Sequence, residues 1–464
     1  MRKTILAMAL AGAFPLAHAQ GAPATGSIEM YGLVDIGIER VDVGSTSSTR
    51  LQSGLSAGSR WGVRGRENLG GGYQAIFTLE SRIEVDNGSM INNGATYFCG
   101  GTAAAPVCPG VRSFGLPPAL APTADAVLNS LSSDLLTRFA TVNSANALFD
   151  RQAFAGLITP FGAVLAGRQY TPGYEVMNKF NSFADATAGQ FGQEFSTLTI
   201  RANNAVQYRA ELKGFTLSLM YGFGGTELAR SERSDDPTKG DDFYGANLQY
   251  ATDRFSVGVG YNHNYVITRA EPTKANTGME TLNAGATLTL GSARLFAMYM
   301  SRKNDNPIVT PLDLQQIVTI ALLAPSPTPA SIRASLDTAL APLIARANRI
   351  DLDGLRGFAG PTDTTVYHLG LTWRLGNGTL IAAYNNAKDT ARSQWATEDA
   401  KVNHYALGYF YDLSKRTQLH ATYAVAQNSG QSRMALGAAG YAGGWTSAFG
   451  EDATALQAGI RHSF

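Results

Sequence analysis

From Ile28 onward, apolar residues recur at every second position, the period of a strand whose two faces meet different surroundings. The end of the chain shows it well: Leu456, Ala458, Ile460, His462 and Phe464 share one face, with Gln457, Gly459, Arg461 and Ser463 on the other. Phe215, Leu217, Leu219, Tyr221 and Phe223 alternate with Thr216, Ser218 and Gly222, and Tyr405, Leu407, Tyr409 and Tyr411 alternate with His404, Ala406 and Gly408. Leu419, Ala421, Tyr423 and Val425 do the same against Gln418, His420 and Thr422.

About sixteen such segments of roughly ten residues follow one another, each long enough for a tilted strand to cross the hydrocarbon layer. The connections between them alternate in length. Short ones fall at 67–72, 159–162, 212–214, 252–253, 290–292, 376–378 and 414–416; long ones at 41–57, 84–148, 171–199, 225–241, 269–279, 304–363, 389–401 and 428–453. Tight turns on one rim and long loops on the other describe an up-and-down barrel. A soluble sandwich also alternates, but its turns are short at both ends. Tyr73, Phe215, Phe255, Trp373, Tyr411 and Phe464 cluster beside the short turns, as an aromatic girdle at a membrane interface would. Residues 124–139, 312–324 and 330–347 carry helix-like apolar spacing inside the two longest loops and read as short helices over the barrel mouth.

Composition agrees with a membrane barrel. Charged residues make up 16%, against roughly 25% in soluble domains, and no run reaches the about 18 apolar residues of a spanning helix. Arg2 and Lys3, an apolar stretch over 4–16 and Ala17-His18-Ala19 read as a secretory signal covering 1–19, which leaves 20–464 as a single domain. A net charge of +1 offers no footprint for nucleic acid. In an exported chain Cys99 and Cys108 read as a disulfide closing a small loop; no His or carboxylate lies between them to make a metal site, and no cofactor is called for.

Several segments together resemble the trimeric general porins of the Gram-negative outer membrane, the β-proteobacterial branch in particular. These are Ile28-Glu29-Met30-Tyr31-Gly32-Leu33-Val34-Asp35, Ser59-Arg60-Trp61-Gly62-Val63-Arg64-Gly65 with Glu67-Asn68-Leu69-Gly70-Gly71-Gly72, Arg151-Gln152-Ala153-Phe154-Ala155-Gly156-Leu157, Gly167-Arg168-Gln169-Tyr170, Arg201-Ala202-Asn203-Asn204-Ala205-Val206-Gln207-Tyr208 and the terminal Phe464. The resemblance implies an all-β, sixteen-stranded antiparallel transmembrane barrel, a homotrimer in outer-membrane lipid, and a third loop, 171–199, folded into the lumen. It also implies that Phe464 signals to the outer-membrane insertion machinery. The extended loops 84–148 and 304–363 depart from the family pattern.

Such a channel passes ions and small hydrophilic solutes through a constriction where wall cations face loop carboxylates. Parity turns Arg60, Arg64 and Arg66 toward water, and Arg201 with Asn203 and Gln207. Arg168 faces in if Leu165 faces out. Parity is ambiguous for Arg151, and only the resemblance turns it inward. On the loop the acidic candidates are Asp185 and Glu194, with Glu175 near its start; Asp35 is a weaker candidate. A channel for a narrow class such as organic anions is the alternative. An adhesive barrel with a plugged lumen fits poorly with the many Gly, Ser, Asn and Gln on the inward face. A barrel hydrolase fits less still: with only 6 His, His263 and His404 sit in strand pattern without a nearby Ser-centred motif, and no Gly-x-Ser-x-Gly elbow flanks a strand-to-helix turn.

Overall fold

The computed structural model describes residues 26–44, 47–90, 100–102, 105–107, 147–183, 187–190, 200–223, 243–265, 278–304, 362–390, 398–430, 432, 434–437, 446 and 450–464. The wall starts with β1 (Gly26–Asp42), β2 (Ser47–Ser53), β3 (Arg60–Gly70) and β4 (Tyr73–Arg82). A detached pair, β5 (Gly100–Thr102) and β6 (Ala105–Val107), follows. The wall resumes with β7 (Gln152–Thr159), β8 (Gly162–Tyr170), β9 (Arg201–Leu212), β10 (Phe215–Gly222), β11 (Phe243–Ala251) and β12 (Phe255–Tyr265). It ends with β13 (Gly278–Leu290), β14 (Ala293–Asn304), β15 (Thr362–Leu375), β16 (Gly378–Asp389), β17 (Ala400–Asp412), β18 (Thr417–Gly430) and β19 (Ala453–Ser463).

From β3 onward each wall strand pairs antiparallel with the next, β4 pairing with β7 past the detached pair, and β19 pairs with β1 from Leu33↔Ser463 to Asp42↔Thr454, so the wall closes on itself. Both β2 and β3 pair with β1, on the 36–42 and 26–33 stretches respectively. They fill one position, and the closed barrel has sixteen. Residues 41–57, expected as loop, are therefore largely strand. Ser47–Ser53 carries no apolar stripe to announce it, and main-chain pairing with β1 requires none.

The short turns gather on one rim. At 213–214, Lys213 and Gly214 take φ of 48° and 85°, the mirror-image turn that matches the twist of paired strands. Outward positions are apolar and bare: Leu248, Leu369, Tyr405 and Tyr423 are exposed, while their neighbours Asn247, His368, His404 and Thr422 are buried on the other face. A bare apolar face suits lipid, and a polar one suits water within the barrel. Phe215, Phe255, Trp373, Tyr411 and Phe464 stand exposed at the short-turn ends, with the Phe215 and Tyr250 rings 4.6 Å apart. The terminal residue also locks the seam: Gly32 and Phe464 exchange both main-chain hydrogen bonds at 3.1 Å, and the Phe464 ring occupies the space a side chain at Gly32 would need.

The disulfide positions Cys99 and Cys108 and the helix-like stretches at 124–139, 312–324 and 330–347 lie outside the described residues, as does the signal segment 1–19. Cys99 directly precedes Gly100 and Cys108 directly follows Val107, and Gly100 and Val107 are register partners in the β5–β6 pair.

Candidate pore constriction

The inner face of β1 carries Glu29, Tyr31, Leu33 and Asp35, since Ile28, Met30 and Ile38 on the other parity are exposed. Register with β3 sets Arg60, Gly62 and Arg64 opposite Leu33, Tyr31 and Glu29, and register with β4 sets Gly62 opposite Glu80. The glycine matters. A side chain at 62 would meet the Tyr31 ring at 2.9 Å; without one, the Tyr31 hydroxyl donates across β3 to Glu80 Oε2 at 3.1 Å.

Glu80 is the centre of the cluster. Arg151 Nε donates to Glu80 Oε1 at 2.8 Å, with both side chains buried, and Arg151 Nη2 donates to the Tyr170 hydroxyl at 2.9 Å. Arg151 sits just before β7, where the strand alternation has not begun, which is why parity left it ambiguous. Arg201, register partner of Tyr170, lies over the Tyr170 ring at 4.8 Å and reaches its hydroxyl at 3.4 Å. Arg60 is half-buried within electrostatic reach of Glu80. Arg60, Arg151 and Arg201, predicted from the sequence, thus converge on one carboxylate and one tyrosine. Past the end of β4, burial holds the Glu84 carboxyl above the usual carboxylate range, against the pull of Arg82 at 3.5 Å.

The remaining candidates divide. Arg64 faces inward but nearer the short-turn rim, exposed, paired with Glu29 at 2.8 Å and stacked on Tyr31 at 5.0 Å. Arg168 does not meet its condition. Leu165 pairs with Gln207, which belongs to the buried polar face, so Arg168 falls with Ala153 on the opposite parity. A register shift between Gly167 and Gln169 then lets its side chain donate to the Asp150 carbonyl and to Asn203 Oδ1, each at 2.5 Å. Asp185 and Glu194 lie outside the described residues. Asp35 is a buried anchor: it accepts from the main-chain N–H of Leu55, Ser56 and Ala57 and from the Ser56 hydroxyl, holding the 54–59 excursion between β2 and β3, and His420 Nε2 lies 3.2 Å away. Gly58 in that excursion rests against Arg151.

After β8 the chain enters helix α1 (Pro172–Phe180), capped by the Thr171 hydroxyl, which accepts from Tyr174 N–H, and with proline in the first turn where its missing N–H is harmless. Its contacts are with the polar faces of the wall. Asn262 accepts from Gly173 N–H at 2.9 Å, Asn283 donates to Gly173 O at 2.9 Å, and Asn247 donates to Pro172 O at 3.0 Å and to Glu175 at 2.8 Å. Arg209 pairs with Glu175 at 3.2 Å. Farther on, Ser182 N–H donates to His368 Nε2 at 3.3 Å and Ala188 N–H to Gln457 Oε1 at 2.8 Å. The apolar side of the segment sits on glycines: Phe180 fills the space above Gly258 and Gly285, Val176 that above Gly260 and Phe183 that above Gly408. Glu80, Tyr31 and Tyr170 were not anticipated. Strand parity alone would have found Glu80, two residues from Arg82 on the same face.

A closed wall with a lipid-matched exterior and a polar, arginine-lined interior defines a transmembrane β-barrel channel. Residues 4–431 match the family model for Gram-negative porins. The chain is 25% identical over 490 residues to an outer membrane porin of Bordetella pertussis, covering 100% of both. Of solved structures, the anion-selective porin from Comamonas acidovorans superposes with a TM-score of 0.59 at 20% identity, over 95% of this chain and 100% of that one. The trimer form of OmpT, an outer membrane protein of Vibrio cholerae, gives 0.53 at 13% identity over 95% and 100%. The chain belongs to the Gram-negative porin family, and is a channel of the outer membrane, not an enzyme.

Proposed function

We propose that the passage narrows where segment 171–199 folds inward, opposite a wall of Arg60, Arg151 and Arg201, and that this constriction sorts solutes by size and charge. The observation that carries it is the set of bonds from 172–190 to the polar faces of β11, β12, β13, β15 and β19. The arginines give the passage a preference for anions, and Asp185 and Glu194 complete the transverse field from the loop. Arg64, already paired with Glu29, and Arg168, turned to the other parity, contribute less. Liposome swelling tests the general reading: sugars and organic anions are expected to enter at rates set chiefly by size, and exclusion of neutral sugars would favour a narrow organic-anion channel.

The working form is a homotrimer in outer-membrane lipid, exported by the segment 1–19, with 20–464 as one domain and Cys99 paired to Cys108. Two features support a role for Phe464 in assembly: it closes the β1–β19 seam at Gly32 and presents its ring at the lipid interface. A chain lacking Phe464 is expected to yield several-fold less folded trimer in cells, while the channels that form conduct normally. Wild-type trimer yield on semi-native gels would overturn that role.

A further inference from the structure

We infer that Lys179 and Arg294 form a second anion station, on the short-turn side of α1, which takes a small oxyanion such as a carboxylate or phosphate group. The inference rests on the inward position of α1 and is separate from the Arg60, Arg151 and Arg201 wall.

Register fixes where the two cations lie. Ser256 and Thr287 are partners one inward step closer to the short turns than Gly258 and Gly285, which carry the Phe180 ring. Arg294, two residues beyond the 291–292 turn, donates from Nη2 to Thr287 Oγ1 at 3.0 Å and to Ser256 Oγ at 3.4 Å, and stacks on Phe296 at 5.1 Å. The guanidinium therefore lies one inward step from the glycines that carry Phe180. Lys179, the residue before it, holds its ammonium 5.7 Å from the Phe180 ring centre. One helical turn earlier on the same side, Glu175 binds Arg209.

Charge accounting separates these cations. Arg209 is offset by Glu175 and Glu211, each at 3.2 Å. Among the described residues neither Lys179 nor Arg294 has an ion-paired carboxylate; the hydrogen bonds of Arg294 go to neutral hydroxyls through Nη2 alone, leaving Nη1 for a ligand. Burial, then the guanidiniums of Arg294 and Arg209, push the Lys179 ammonium below the usual lysine range, against the pull of Glu211. Two like charges held together without a counterion are relieved by an anion between them, and a fork of guanidinium N–H donors beside an ammonium matches the oxygens of carboxylate or phosphate.

Planar-bilayer recordings of the full-length channel test this with Lys179→Gln, Arg294→Gln, the double variant and Arg294→Lys. In 0.1 M KCl the chloride-over-potassium permeability ratio is expected to fall about threefold per charge removed, the Boltzmann factor for on the order of one kT of local potential. Inorganic phosphate added to the short-turn side is expected to reduce chloride current in the wild type and in Arg294→Lys. The concentration for half-inhibition should rise several-fold in the double variant. A double variant that keeps both the wild-type ratio and the wild-type phosphate response overturns the station. Failure of the inward position of α1 would show elsewhere, as unchanged conductance on crowding Gly285.

Discussion

Replacing Arg60 and Arg201 together by Gln is expected to lower the anion-over-cation permeability ratio by more than tenfold, the largest change in selectivity any pair of wall residues should produce. Two unit charges about 4 Å apart interact by about 1 kcal/mol even at the dielectric of water, which is about fivefold per charge; narrow low-dielectric walls add to it. Arg151 is a poorer choice for the experiment. Its guanidinium holds buried Glu80 at 2.8 Å, and stranding that carboxylate costs about 3 to 5 kcal/mol of stability, which would confuse loss of charge with loss of fold. The informative control is Arg64→Gln: Arg64 is exposed and paired with Glu29, so the ratio should move less than twofold. The contrast should fade between about 0.01 M salt, where the Debye length is roughly 30 Å, and about 1 M, where it is roughly 3 Å. Equal shifts from Arg64 and from Arg60 with Arg201, read as zero-current potentials under a salt gradient, would place the filter nearer the short-turn rim.

That Arg60 and Arg201 look inward follows from strand parity, a local property that a period of two carries without knowledge of neighbours. Where the period is broken, the sequence loses the side chain. Arg168 is the clear case: Leu165 belongs to the polar face beside Gln207, and the register shift between Gly167 and Gln169 belongs to the pairing with β9, not to β8 itself. The split of one wall position into β2 and β3 is hidden for a related reason, because the excursion at 54–59 is held by Asp35, some twenty residues earlier, through main-chain bonds. Asp35 has inward parity like any pore acid, yet its oxygens are spent on those N–H groups. Parity says which way a side chain points; only the fold says what it meets.

The seat of α1 yields the second large effect. Phe180 is fully buried above Gly285 and Gly258, and a Cβ at Gly285 would lie 2.4 Å from its Cγ. Apolar helix residues opposed by wall glycines recur at Val176 over Gly260 and Phe183 over Gly408, so the segment is fitted to the wall by close approach as well as by hydrogen bonds. Gly285→Leu must move one partner. β13 is held by its ladders to β12 and β14 from Gly278 to Leu290, whereas α1 is held by a handful of bonds, so the helix is the element that yields. Overpacking of this kind costs roughly 1 to 3 kcal/mol, comparable to the few hydrogen bonds at Gly173 and Pro172 that oppose it, at about 1 kcal/mol each. The expected result is a folded barrel with a displaced α1, a single-channel conductance at least half again that of the wild type in 1 M KCl, and faster entry of larger sugars in swelling assays. Gly285→Ala, with one methyl to accommodate, should fall between the two. Wild-type conductance in Gly285→Leu, from protein whose folded barrel is confirmed by heat-modifiable mobility on gels, would mean that α1 does not set the width of the passage.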